Sequence, residues 1–198
     1  MSNETDTVGD ANGLPQTADE LQVLPWCRAL LSAPGTTTFI PESRDPENAN
    51  PHDRFFGKTL EGPKGIPACL SFYSETPRKS VITELSTLFA LSCGVDGYPN
   101  IAHGGLVAVL IDEILGVLIQ RNMFVDADDP VFKMNTVTSS MNIRYLKPII
   151  TPCVVLGVGN VKEIRGRRLM LSAVIKDSNG VDLATCDSLW IGIPRPKM

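Results

Sequence analysis

The most apolar run in this chain, Leu106-Val-Ala-Val-Leu-Ile-Asp112-Glu113-Ile-Leu-Gly-Val-Leu-Ile119, is greasy on every side a helix can present. A helix apolar all round has to be covered all round, so the rest of the chain must wrap it. The wider stretch from Ile101 to Ile119 is interrupted by His103, Asp112 and Glu113. Charges at a bilayer centre cost about 2.5 to 3.5 kcal/mol each, so the run predicts a buried helix over about 103–122 and no membrane span.

The segments on either side of the helix read as that wrapping. Strands are expected near 136–146, 153–164, 167–177 and 182–193, with two more near 68–75 and 80–93 before the helix. Asn179-Gly180 between Leu-Ser-Ala-Val-Ile-Lys and Asp-Leu-Ala-Thr-Cys is a strong hairpin signal, and Arg165-Gly166 marks another turn. An antiparallel meander next to one long helix gives an α+β unit with the sheet wrapped around the helix. Ahead of it, residues 1–20 are polar, acidic and without periodicity, and predict a disordered tail. Residues 21–67 predict an irregular arm: a short helix broken or started near Pro25, then a segment with Pro34, Pro41, Pro46, Pro51, Pro63 and Pro67 that holds no long regular element.

At 198 residues this is one domain, 68–198, with an appendage. A net charge of −4 gives nucleic acid no basic face to meet, so any anionic ligand needs a local basic cluster. Cys27, Cys69, Cys93, Cys153 and Cys186 are odd in number and contain no C-x-x-C pair, which predicts reduced, mostly buried thiols rather than a disulfide framework. The acidic N-terminus has no Lys or Arg before Arg28 and resembles neither a secretory signal nor a transit peptide, so a cytoplasmic setting is expected.

Two features carry chemistry. His103-Gly104-Gly105 opens the helix, where first-turn N–H groups have no intrahelical partner and sit at a positive partial charge. Glycines there let an acyl oxygen approach closely enough to form an oxyanion hole, or they serve only a tight turn. Asp112 shares its helix face with Ala108, Val109, Leu115 and Gly116, away from obvious solvent, and is placed to be a general base or a nucleophile. Glu113, one residue round, cannot face the same way. The alternative is that one acid ties down a neighbouring element and the other meets water. The pairing of an anion-friendly helix start with an interior carboxylate suits hydrolysis of an activated acyl group.

The stretch Gly97-Tyr-Pro-Asn-Ile-Ala-His-Gly-Gly-Leu-Val-Ala-Val-Leu-Ile-Asp112, which holds both features, resembles hotdog-fold acyl-CoA thioesterases of the phenylacetate-degradation, 4-hydroxybenzoyl-CoA thioesterase-like superfamily, and especially its eukaryotic branch. Thr138-Ser-Ser-Met-Asn-Ile-Arg-Tyr-Leu-Lys-Pro148 and Val161-Lys-Glu-Ile-Arg-Gly-Arg-Arg-Leu are similar to that family's following strands, so the likeness spans roughly 68–193. The resemblance implies a hotdog homodimer or dimer of dimers that needs no metal or organic cofactor, with coenzyme A part of the substrate. It implies that Asp112 activates water or attacks the thioester, that Gly104 and Gly105 amides polarise the carbonyl, that His103 helps place it, and that Thr138 orients water or acid, with Ser139 and Ser140 as register alternatives. Many relatives carry asparagine where this chain has Gly97; Asn100 or Asp96 would take its place.

Arg165, Arg167 and Arg168, with Lys162 nearby, form the densest basic cluster of an acidic chain, and guanidinium groups suit the phosphates of coenzyme A. Trp26, Trp190, Phe55, Phe56 and Phe89 are expected in the core rather than in an acyl tunnel. Cys93 is expected to be structural, since only His52 and His103 could activate a thiol. Three rival functions remain: a hotdog hydratase or dehydratase, release of an acyl chain from a carrier protein, and non-catalytic acyl-CoA binding.

Overall fold

The computed structural model describes residues 13–45 and 54–194. Around the long helix α2 (Gly104–Phe124) it places β2 (Cys69–Ser74) and β3 (Glu84–Leu91) from before the helix, then β6 (Asn135–Tyr145), β7 (Cys153–Arg165), β8 (Arg168–Lys176) and β9 (Asp182–Ile193) from after it. The arm supplies α1 (Pro25–Leu31) and a further strand, β1 (Thr36–Phe39), while Asp96–Tyr98 (β4) and Ile101–Ala102 (β5) make a small separate hairpin leading into α2. The large sheet is antiparallel, in the order β1-β2-β3-β7-β8-β9-β6.

Alternation along the strands sorts side chains into two layers. Cys69, Phe89, Val155, Leu169, Leu171, Ala173, Ile175 and Trp190 join Leu110, Ile111, Ile114 and Leu115 of α2 in the main core. Leu70, Phe72, Leu88 and Ala90 point the other way and are roofed by Leu21, Cys27 and Leu31 of the arm. The sheet therefore has α2 on one face and α1 on part of the other.

Helix and sheet come closest at β7, and glycine makes that possible. A Cβ on Gly157 would lie 2.1 Å from Ile114 Cδ1 and 2.9 Å from its Cγ1. Overpacking of this kind costs typically about 1 to 3 kcal/mol. Gly157→Ala is expected to lower stability by that order in urea unfolding, and Ile114→Val should cost less in that background than in the native one. At its C-terminal end α2 is fastened by buried Asn122, whose amide donates to the carbonyls of Ile82 and Leu118 and accepts from the Ile82 N–H at 2.8 Å.

The expected elements lie where the pattern put them, and Asn179-Gly180 turns the β8–β9 hairpin with Gly180 at φ 78°. Two boundaries move. The expected disordered tail over 1–20 lies outside the described residues only as far as residue 12. Leu14 and Ala18 pack on the outer cluster and Asp19–Val23 forms a 3-10 turn, because leucines at 14 and 21 give this segment apolar surface to bury. The arm, for its part, adds β1 to the edge of the sheet, its four residues pairing with Phe72, Tyr73, Ser71 and Ser74. Residues 46–53 of the arm lie outside the described residues.

Candidate active site

The two adjacent acids of α2 diverge. Glu113 accepts a hydrogen bond from Ser43 Oγ at 2.5 Å and so ties the arm to the helix. Asp112 turns to β6, where Thr138 Oγ1 donates to its Oδ1 at 2.7 Å. It is half-buried rather than sealed from solvent. One carboxylate is thus structural and the other is held by a hydroxyl at an accessible place.

A bulge decides which hydroxyl that is. Thr138 pairs with Trp190 and Ser140 with Leu189, which leaves Ser139 as the extra residue. The extra residue puts Thr138 and Met141, three apart, on the same side, and Met141 and Ile143 pack against the core beside α2. Of the three hydroxyls that an uncertain register allowed, at 138, 139 and 140, the structure gives Asp112 that of Thr138. Trp190 is a core residue, as expected; its ring lies 3.8 Å from where a Cβ on Gly116 would stand, one helical turn beyond Asp112.

At the helix start His103 is the N-cap, and its Nδ1 accepts from the Gly105 N–H at 2.8 Å. Nδ1 therefore carries no proton and Nε2 holds the ring hydrogen. The Gly105 amide is thus engaged by the cap, while the Gly104 N–H is left outside it. Tyr145, which sequence reasoning missed, donates from its hydroxyl to the Gly104 carbonyl at 3.1 Å. A cleft of about 320 Å³ opens beside this point, bounded by Gly104, Val107, Tyr145, Lys147, Ile149 and Ala184.

Gly97 stands where the backbone is closely packed. A Cβ on Gly97 would lie 3.0 Å from His103 Cα and 3.1 Å from its ring, so the β4–β5 hairpin approaches the cap too closely for a larger residue without a shift. Asp96 is not free to replace it, since its carboxylate accepts from Thr151 Oγ1 and from the Asn100 N–H. Asn100 sits at φ 59° at the hairpin turn with its side chain exposed. The structure brings neither of them to Asp112.

Nor does it bring the helix start to Asp112. Gly104 is the first residue of α2 and Asp112 the ninth. At 1.5 Å per residue they are about 12 Å apart along the axis. The chain thus holds an amide end, with His103, Gly104 and Tyr145, and an acid end, with Asp112 and Thr138.

Residues 99–184 match the family model described as thioesterase superfamily. Over these residues the chain is similar to that superfamily. Verlamelin biosynthesis protein B of Lecanicillium sp is 25% identical, with 73% of this chain and 74% of that protein covered. Acyl-coenzyme A thioesterase THEM4 of Rattus norvegicus is 27% identical, with 72% and 55% covered. The chain thus spans little more than half the length of this THEM4 relative. The crystal structure of the thioesterase superfamily protein RHA08564 superposes with a TM-score of 0.51 at 19% identity, over 63% of this chain and 54% of that one. That likeness bears on fold, and the fold is the expected α+β hotdog.

Within the matched residues the basic cluster occupies the β7–β8 turn. Arg165 pairs in register with Arg168, and all three arginines are exposed; the Arg165 guanidinium forms an ion pair with Glu163. The turn lies at the acid end of the sheet, because Leu169, next to Arg168, pairs with Trp190, which pairs with Thr138. All five cysteines are free. Burial pushes the Cys27 and Cys153 thiols up to about 12 and also raises Cys69 and Cys186, which leaves these four without nucleophilic thiolate near neutral pH. Among the described residues no cluster of three or more His, Cys, Asp or Glu is placed to hold a metal ion, and no helix is long and apolar enough to cross a membrane.

Proposed function

We propose that the chain hydrolyses an acyl-CoA thioester to the free acid and coenzyme A, with Asp112 as general base and the Gly104 amide as oxyanion donor. The observation that carries this reading is the Thr138–Asp112 hydrogen bond. It fixes one carboxylate oxygen and leaves the other to take a proton from water. The water oxygen then bonds to the carbonyl carbon, negative charge gathers on the carbonyl oxygen facing the Gly104 N–H, the C–S bond breaks, and the proton held by Asp112 passes to the sulfur. Direct attack by the free oxygen of Asp112, giving an anhydride that water cleaves, uses the same geometry.

The working unit in this reading is a two-fold homodimer. Strand β6 is the last of the sheet among the described residues, eleven residues long and mostly exposed, with Val137 and Tyr145 among its exposed apolar residues. Long open edges pair. Thr138 and Tyr145 stand about 20 Å apart along β6 at 3.3 Å per residue, allowing for the bulge. Antiparallel pairing of two β6 strands would carry the amide end of one protomer toward the acid end of the other and join the halves.

Release of free thiol from a panel of acyl-CoA substrates tests the reaction. A hydratase would change enoyl absorbance without releasing thiol, a purely binding protein would do neither, and an acyl-carrier hydrolase would prefer the carrier-bound substrate. In the same assay, neutralising Arg165, Arg167 and Arg168 together is expected to raise KM for acyl-CoA more than it lowers kcat, since contacts to distant phosphates hold ground and transition states alike. The effect should shrink with acyl-pantetheine; equal losses on both substrates would make the cluster structural.

A further inference from the structure

Gly104 has no side chain to restrain its own backbone, so the direction of its N–H depends on what holds the peptide planes on either side. The plane before it is held because the His103 carbonyl accepts from the Leu106 N–H at 2.9 Å. The plane after it is gripped at both ends: the Gly105 N–H donates to His103 Nδ1 at 2.8 Å, and Tyr145 Oη donates to the Gly104 carbonyl at 3.1 Å. The Tyr145 ring also lies across Gly104, 3.7 Å from where a Cβ would be. An amide donor that stabilises developing charge is effective only if it is already aimed, because reorienting it during the reaction costs what it would gain.

We propose that Tyr145 is a positioning residue for thioester hydrolysis: its hydroxyl holds the Gly104–Gly105 peptide and, with the hold on the His103–Gly104 peptide that contains the Gly104 N–H, fixes the Gly104 dihedrals so that this N–H stays aimed at the reacting carbonyl. The residue is 57% exposed in the single chain and Tyr145→Phe keeps the ring, so removing the hydroxyl leaves no cavity and unpairs only a carbonyl that α2 still satisfies. This inference rests on the hydrolase reading above and extends it to a residue outside the acid and the helix cap.

The test compares Tyr145→Phe, Tyr145→Leu and Asp112→Asn with the native protein in steady-state thiol release, with thermal melts alongside. Tyr145→Phe is expected to melt within a degree or two of the native protein and to lose on the order of 10-fold in kcat with KM within about twofold, the split of an interaction felt mainly in the transition state. Tyr145→Leu, which also loses the ring, should lose at least as much kcat. Native kcat in Tyr145→Phe with a defect only in Tyr145→Leu would overturn the proposal, because the ring would then act by packing alone. So would a rise in KM equal to the fall in kcat, which would make Tyr145 a substrate contact. If Asp112→Asn is inactive while Tyr145→Phe is native, this inference fails and the hydrolase reading stands; if the native protein releases no thiol, both fall together.

Discussion

Asp112→Asn is expected to fold and melt like the native protein and to lose roughly 10² to 10⁴ in turnover, the usual worth of a general base. The substitution is a narrow one. An asparagine oxygen can still accept from Thr138 Oγ1, which reaches Oδ1 at 2.7 Å, so the anchor on β6 survives. What changes is the other atom, which becomes an amide NH₂ that can neither take a proton from water nor attack a carbonyl. KM should move little. Near-native kcat in a well-folded Asp112→Asn protein would remove the mechanism and leave Glu113 as the acid to examine, although Glu113 is already engaged by Ser43.

The second large effect concerns two chains at once. If the amide end of one protomer serves the acid end of its partner, Gly104→Val and Asp112→Asn damage opposite halves of each composite site. Co-expressed with different tags and purified as a heterodimer, they should form one site with both defects and one with neither. Each parent homodimer should be nearly inactive, while the heterodimer should recover up to about half of native activity per dimer, as two-fold symmetry requires. Gly104→Val is suited to the purpose because the Cβ position itself meets only the Tyr145 ring, at 3.7 Å, so the fold tolerates the added carbons while the approach to the N–H is obstructed. A heterodimer as inactive as its folded parents would mean that no site is shared.

Much of this architecture was legible because it follows from periodicity. An all-round apolar helix demands a wrap, and strands that bury one face alternate, so α2 and the six strands expected around it could be placed from the pattern of residues alone. The arm was harder. Thr36–Phe39 is too short to show a period, and it becomes a strand only because the edge of β2 offers it partners. At the site, adjacency on a helix was enough to show that Asp112 and Glu113 must face different ways, but not which neighbour each would find. Ser43 lies 70 positions from Glu113, and only the folded arm brings it there. The role of Gly105 was hidden for a local reason: histidine is an uncommon helix cap, and its ring takes the amide that a glycine pair would otherwise leave open. Tyr145 was invisible because its direction depends on a bulge several positions earlier that no turn residue announces.

That bulge has a consequence for how β6 can vary. Thr138 on one side of it and Tyr145 on the other reach α2 only because Ser139 is passed over in the pairing. Draw Ser139 into regular pairing and the strand beyond changes phase: Met141, Ile143 and Tyr145 would swing to the far face while Thr138 stayed. The same single-residue step would therefore disconnect the amide end from the acid end without touching either. β6 behaves as a ruler whose graduations are odd on one half and even on the other, and between Thr138 and Tyr145 it can lose a single residue without changing phase only by losing the bulge.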